Sequence, residues 1–309
     1  MSFLQAAPVL NNQYLDDRVL RSYLRRVLPP AVVTAVEGDL MELGEFATAA
    51  WTAARARSDC EPRLTRWSSW GERIDRLELT QAWQAAQPLA ARYGLVCAGH
   101  ENTHGASARI HQFAMVYLFH CASEFYTCPL AMTDGAATAL KASGNKRLIE
   151  HALPHFLSRD PDQFWISGQW MTENIGGSDV AGCETVAREK DGRWRLYGRK
   201  WFTSAINANT ALALARPAGT APGSDSLALF YLEPRKPDGK WRGITVDRLK
   251  DKLGTRELPT AEIHLDGVPA ELVGEARHGV RQIAPMLNIT RTWNAVGAVA
   301  TMRRCIALA

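Results

Sequence analysis

The sequence predicts an α+β chain in three successive segments: helices over 1–155, a mostly antiparallel β segment over 156–275, and the first helix of another helical segment over 276–309. Three observations carry this. Apolar residues recur at helical spacing through the first half. Near residue 156 the long periodic stretches give way to short apolar runs separated by Gly, Pro and Asp. Helical spacing then returns at about residue 279 and continues to Ala309. Apolar periodicity is the primary signal for element type, and turn residues mark where elements stop.

Residues 1–16 read as an extended arm ending in a cap. Leu20, Tyr23, Leu24, Val27 and Leu28 then fall on one helical face, with the early arginines on the other. Asp16 or Asp17 is placed to cap this helix, and Pro29-Pro30 to stop it. Val36, Leu40, Leu43, Ala47 and Trp51 predict a long helix over 34–57, followed by a connecting loop over 58–77. Leu79 to Tyr93 is helical again, with Gly94 placed to end it. Residues 107–127 are too apolar for a surface helix and read as buried, and Thr133 or Asp134 would cap the small-residue helix that follows. His120 is read as a core histidine in preference to a base. In the β segment, 184–189 and 194–201 flank Asp191-Gly192 as a hairpin, and 211–215, 227–232, 244–249 and 261–265 read as further strands. The final helical pattern stops without a cap, glycine or proline, which points to a truncated chain or an isoform.

The 309 residues suffice for two or three domains with a sizeable core. A net charge of +4 and a pI near 8.8 are mildly basic and do not argue for nucleic acid. Six cysteines (Cys60, Cys97, Cys121, Cys128, Cys183, Cys305) contain no Cys-x-x-Cys pair and read as reduced thiols, with neither a disulfide framework nor a zinc site. No apolar run approaches the ~18 residues of a membrane helix, and residues 1–10 carry no basic leader region. The expected location is cytoplasmic, or mitochondrial if the source is eukaryotic.

Two stretches carry the chemistry. The first is Gln169-Trp170-Met171-Thr172-Glu173-Asn174-Ile175-Gly176-Gly177-Ser178-Asp179. Adjacent glycines admit a ligand close to the backbone, successive N–H groups form an anion-binding concavity, and Thr172 and Ser178 add hydroxyls. By itself this is also ordinary turn chemistry. The second is Gly198-Arg199-Lys200-Trp201-Phe202-Thr203-Ser204. Together they resemble the flavin-binding signature of the acyl-CoA dehydrogenase family, in which the first stretch typically reads Thr-Glu-Pro-x-x-Gly-Ser-Asp and the second Lys-x-Trp-Ile-Thr-Asn. Asn174 stands where the family often has proline, and Phe202-Thr203-Ser204 also departs from the pattern. Other blocks resemble the AidB, or adaptive-response, branch: Asn12-x-Tyr14, Tyr23 to Pro29, Cys128 to Ala136, Lys250 to Arg256, and Thr290-Arg291 with Met302-Arg303-Arg304.

The resemblance implies an acyl-CoA dehydrogenase-like fold and FAD as cofactor. It implies a cofactor site of Met171, Thr172, Gly177, Ser178 and Trp201, with Thr203 or Ser204 near the hydride-accepting nitrogen. It also implies an acyl-CoA substrate near Arg291, an electron acceptor such as an electron-transfer flavoprotein, and a homodimer or homotetramer. The catalytic base remains unknown: one subgroup carries it just before the family arginine, where this chain has Thr290, and Glu173 belongs to the flavin loop and is a poor candidate. Alternatives stay open. The AidB branch is associated with DNA through a C-terminal region that this chain lacks, so a DNA-associated alkylation-response flavoprotein is one. A non-catalytic truncated isoform is another, and oxidase chemistry on the same scaffold a third.

Overall fold

The computed structural model describes residues 4, 6, 8–56 and 61–309. Cys60 and Arg57 lie outside the described residues; the five described cysteines are free.

The helical part opens with α1 (Arg18–Val27). Asp17 is its cap: Oδ1 accepts from the amides of Val19 and Leu20 at 3.0 and 2.9 Å. Its other oxygen accepts from Tyr117 Oη at 2.7 Å and pairs with Arg303 Nε at 3.2 Å, tying α1 to two later helices. Asp17→Ala is therefore expected to cost about 1–2 kcal/mol, the upper end of the usual cap range, measurable as a shift in the urea midpoint. Helix α2 (Pro30–Ala56) begins four residues before the sequence pattern does, because proline fits the first helical turn.

The loop expected over 58–77 is instead a hairpin of β1 (Arg63–Trp67) and β2 (Arg73–Glu78). Its strands have little apolar alternation because tertiary contacts hold it. Arg73 Nη2 donates to the Val246 carbonyl at 2.8 Å, Asp75 Oδ2 accepts from the Val246 amide at 3.0 Å, and Trp241 Nε1 donates to the Asp75 carbonyl at 2.9 Å.

Helix α3 (Gln81–Arg92) is capped by Thr80 and followed by Gly94, close to expectation. The buried helix expected over 107–127 is shorter: α4 (Ala108–His120) gives way to turns over 121–126, in which Glu124 and Phe125 take positive φ. Helix α5 (Thr127–Ser143) then starts six residues before the expected cap, since Pro129 sits in its first turn, where proline is tolerated. Thr133 and Asp134 are thus interior, fully buried residues and cap nothing. Thr133 Oγ1 donates to the Pro129 carbonyl at 2.7 Å and accepts from the Ser167 amide at 2.9 Å. Helix α6 (Lys146–Phe156), capped by Asn145, completes this part.

The β part comprises β3 (Ser167–Trp170), β4 (Val186–Lys190), β5 (Arg193–Ser204), β6 (Thr210–Pro217), β7 (Ala228–Leu232), β8 (Ile244–Leu249) and β9 (Thr260–Leu272). The pairings run round a ring, β6–β4–β5–β9–β7 and back to β6, with β3 added on β6 and β8 on β9. Pairing is antiparallel except for β3 and β4 against β6. Asp191 and Gly192, both at positive φ, make the tight turn of the predicted hairpin. A core including Trp170, Leu196, Phe230, Val246 and Ile263 fills this part.

Helix α7 (Gly279–Leu308) packs against α4 and α5. A Cβ on Gly297 would lie 2.8 Å from the His120 ring, so only glycine allows this approach. His120 Nδ1 lies 2.7 Å from Thr127 Oγ1, and burial lowers its pKa, the state of a satisfied core histidine. Among the described residues no helix is long and apolar enough to cross a membrane.

Candidate functional site

Strand β3 delivers the chain into the 171–185 loop beside β5. Glu173 and Gly176 exchange backbone hydrogen bonds at 3.0 and 3.2 Å, folding Asn174-Ile175 into a tight tip. The Trp201 amide donates to the Thr172 carbonyl at 2.9 Å, so the two stretches singled out in the sequence are joined directly. Gly177 lies against Thr172; a Cβ there would press within 2.9 Å of Thr172 Cγ2. Thr172 is half-buried and Ser178 exposed. Neither hydroxyl has a partner among the described residues, whereas most threonines nearby spend theirs internally. Met171 turns toward the helical core, its sulfur 3.3 Å from Gln169 Nε2.

Strand β5 carries a bulge between Lys200 and Thr203. Bulges re-aim side chains, and here Lys200 and Thr203 are buried while Trp201 is half-buried and Phe202 exposed. Thr203 donates its hydroxyl to the Ala261 carbonyl at 2.6 Å. Ser204 Oγ lies 3.2 Å from Thr260 Oγ1, which also accepts from Lys252 Nζ at 3.0 Å. Lys250 Nζ stands 3.3 Å from the centroid of the Trp201 indole and 2.7 Å from Glu262. This cation–π contact holds one face of the ring. Beside it opens a cleft of about 290 Å³ lined by Glu61, Lys250, Arg256 and Thr260 among others.

Glu173 is buried beneath this surface. Its Oε1 receives Lys200 Nζ at 2.6 Å, Thr185 Oγ1 at 2.6 Å and Cys183 Sγ at 3.0 Å, and its Oε2 receives the Glu184 amide at 2.7 Å. Burial pushes this carboxyl up, but the Lys200 charge and the hydrogen bonds from Cys183, Lys200 and Thr185 outweigh it and hold the pKa below the usual carboxylate value. A carboxylate so fully engaged is a structural anion and no base.

Arg291 stands apart on α7, exposed, with its nearest polar partner, Asn288 of the same helix, at 3.4 Å. Thr290 donates to the Leu287 carbonyl at 3.0 Å. The structure thus brings together Thr172, Gly177 and Trp201, with Ser204 on the same strand as Trp201; it gives Arg291 no hydrogen bond to the loop.

Two polar clusters escaped the sequence reading. One is Glu173 with Lys200. The other is Asp134, which accepts from Arg109 Nη1 at 2.6 Å, Trp293 Nε1 at 2.8 Å and Gln112 Nε2 at 3.0 Å and lies 2.7 Å from His100 Nε2. The available signal was a carboxylate amid the small and apolar residues of Leu130–Leu140.

The family model "Adaptive response protein AidB N-terminal domain" matches residues 5–163, and "Acyl-CoA dehydrogenase, middle domain" matches 168–268. The chain belongs to the acyl-CoA dehydrogenase family, in its AidB-like branch. This acyl-CoA dehydrogenase-family chain is 43% identical to "Acyl-CoA dehydrogenase family member 11" of Caenorhabditis elegans, over 99% of this chain and 52% of that protein. It is 30% identical to "Putative acyl-CoA dehydrogenase AidB" of Escherichia coli, over 80% of this chain and 46% of that one. The crystal structure of Caenorhabditis elegans ACDH-11 in complex with C11-CoA superposes with a TM-score of 0.94 at 42% identity, covering 99% of this chain and 54% of that chain. The family member described here spans about half the length of these relatives.

Proposed function

We propose that this chain forms the flavin-cradling part of an FAD-dependent acyl-CoA dehydrogenase. The observation that carries the proposal is the hydrogen bond joining Thr172 to Trp201, with Gly177 bare against the same threonine. The residues fit the group. An uncommitted hydroxyl and the exposed Gly177-Ser178 suit a polar ring edge and a diphosphate, and an indole held on one face suits an aromatic ring system. Bound FAD supplies the hydride acceptor.

In this reading Thr172 donates to the pyrimidine edge, where a donor aimed at developing negative charge is most effective. Gly177 and Ser178 face the diphosphate, and Trp201 lies along the ring system. Ser204 is favoured over Thr203 as the donor near the hydride-accepting nitrogen, because the Thr203 hydroxyl is committed to Ala261. Met171 supports the loop from the core side. The substrate class is an acyl-CoA, supported by the C11-CoA complex of the relative, with Arg291 on the substrate side. The electrons pass to an acceptor such as an electron-transfer flavoprotein, and the assembly is a homodimer or homotetramer. The proton-abstracting base is assigned to none of the 309 residues. Thr290 is unable to serve, and Glu173 is engaged.

Titration with FAD tests this. Saturation at 100 times Kd is expected to stabilise the fold by about 2.7 kcal/mol, read as a rise in thermal midpoint with a flavin absorbance band in the protein fraction. A colourless protein whose midpoint FAD leaves unmoved, in this chain and in one extended to the length of its relatives, sinks the proposal.

A further inference from the structure

Glu173 and Lys200 are the chain neighbours of Thr172 and Trp201. Successive residues along extended backbone point to opposite sides. Thr172 and Trp201 are half-buried, while the side chains of Glu173 and Lys200 are only 4% and 0% exposed behind them. We propose that Glu173 and Lys200 are positioning residues: their buried pair sets the offset between Thr172 and Trp201, and hence the spacing at which the flavin is gripped. The inference rests on the flavin reading above and extends it to two residues that would not touch the cofactor.

A buried ion pair adds little net stability, because both ions give up hydration; an apolar pair of similar volume is often as stable or more so. What an apolar pair lacks is orientation. Glu173 is held from three consecutive residues, Cys183, Glu184 and Thr185, on the far arm of the loop. Lys200 Nζ is held at 2.6 Å by Glu173 and at 2.7 Å by the Leu214 carbonyl on β6. The pair therefore joins both arms of the loop to β5 and β6 at once. A one-residue slip of the loop would turn Glu173 outward and leave Lys200 without its counterion, so only one register satisfies every partner. Leucine and methionine at these positions would fill the space in more than one register.

The test uses the double variant Glu173→Leu/Lys200→Met, which removes both charges while keeping volume. It is expected to retain the parent circular dichroism with a lowered urea midpoint, because the Thr185 hydroxyl and Glu184 amide lose their acceptor and the Leu214 carbonyl its donor. The Trp201 amide, which bonds the Thr172 carbonyl, is expected to exchange about tenfold faster relative to the amides elsewhere in the β part of the same variant, and FAD to bind about tenfold more weakly. The reversed pair Glu173→Lys/Lys200→Glu keeps opposite charges but meets the wrong partners on both sides, and is expected to show the same two losses. If the double variant does not fold, Glu173→Gln, which keeps the side-chain shape, carries the same two readouts in its folded fraction. Parent-like protection of the Trp201 amide in the folded variants overturns the proposal. Amide exchange needs no cofactor, so failure of the flavin reading in the parent is separable from failure of the register lock.

Discussion

Replacing Asp134 with alanine is expected to destabilise the fold by about 3–5 kcal/mol, the range for breaking a buried charged network by removing one member. The carboxylate is fully buried and meets donors from four residues at three places in the chain: His100, Arg109 and Gln112 on α4, and Trp293 on α7. Without it Gln112 Nε2 keeps only its contacts to the Leu95 and Val96 carbonyls, and the buried Trp293 N–H has nothing to bond. Unsatisfied buried donors lose their full desolvation cost. Typical domains have only about 5–15 kcal/mol in total, so urea titration will show a large drop in midpoint. A loss below about 1 kcal/mol would remove Asp134 from its central place in the packing.

The same network predicts an acid sensitivity. Burial pushes the Asp134 carboxyl up, yet hydrogen bonding to His100 and the charge of Arg109 more than reverse this and hold its pKa below the ordinary value. Glu173 shifts the same way. A depressed folded-state pKa means that the contribution is full above the unfolded value of about 4 and drains away as pH falls through the folded value. Stability measured from neutral pH downward should therefore fall in two stages: from about pH 6.5, as the unfolded chain protonates histidines such as His111 and His120 whose folded-state pKa values burial lowers, and again below about pH 4 as these carboxylates protonate; Asp134→Asn should flatten part of the second fall.

The second large effect concerns the cofactor. Thr172→Ala with Ser178→Ala is expected to weaken FAD binding by about 2–4 kcal/mol, on the order of 30- to 700-fold, with little change in the urea midpoint. Neither hydroxyl bonds anything inside the described structure, so the fold loses nothing when they go. Ser178 would face a charged diphosphate, and hydrogen bonds to charged groups are the costlier to remove. Equilibrium titration of flavin fluorescence measures the affinity. Binding at parent strength in the double variant would dismiss the assignment of both residues.

The element types were legible in the sequence because they rest on local periodicity and turn chemistry. The hairpin about Asp191-Gly192, the strand over 244–249 and the final helix from 279 needed nothing else. The loop pair was legible too, since a Gly-Gly turn and a tryptophan strand at that separation form a recognisable unit. What failed depended on partners remote in the chain. Residues 63–78 pair as strands because Arg73 and Asp75 find the backbone of Val246. Asp134 reads locally as a cap, and only the arrival of Arg109, Gln112 and Trp293 makes it an interior anion. Nothing local to Lys200 signals its burial, which comes from Glu173 and the Leu214 carbonyl enclosing it. By itself, then, the sequence determined where the backbone coils, extends and turns, because those preferences act within a few residues. Which charges are buried, and which hydroxyls stay uncommitted, was decided by the tertiary structure alone, because each depends on groups that meet only after the chain has closed on itself.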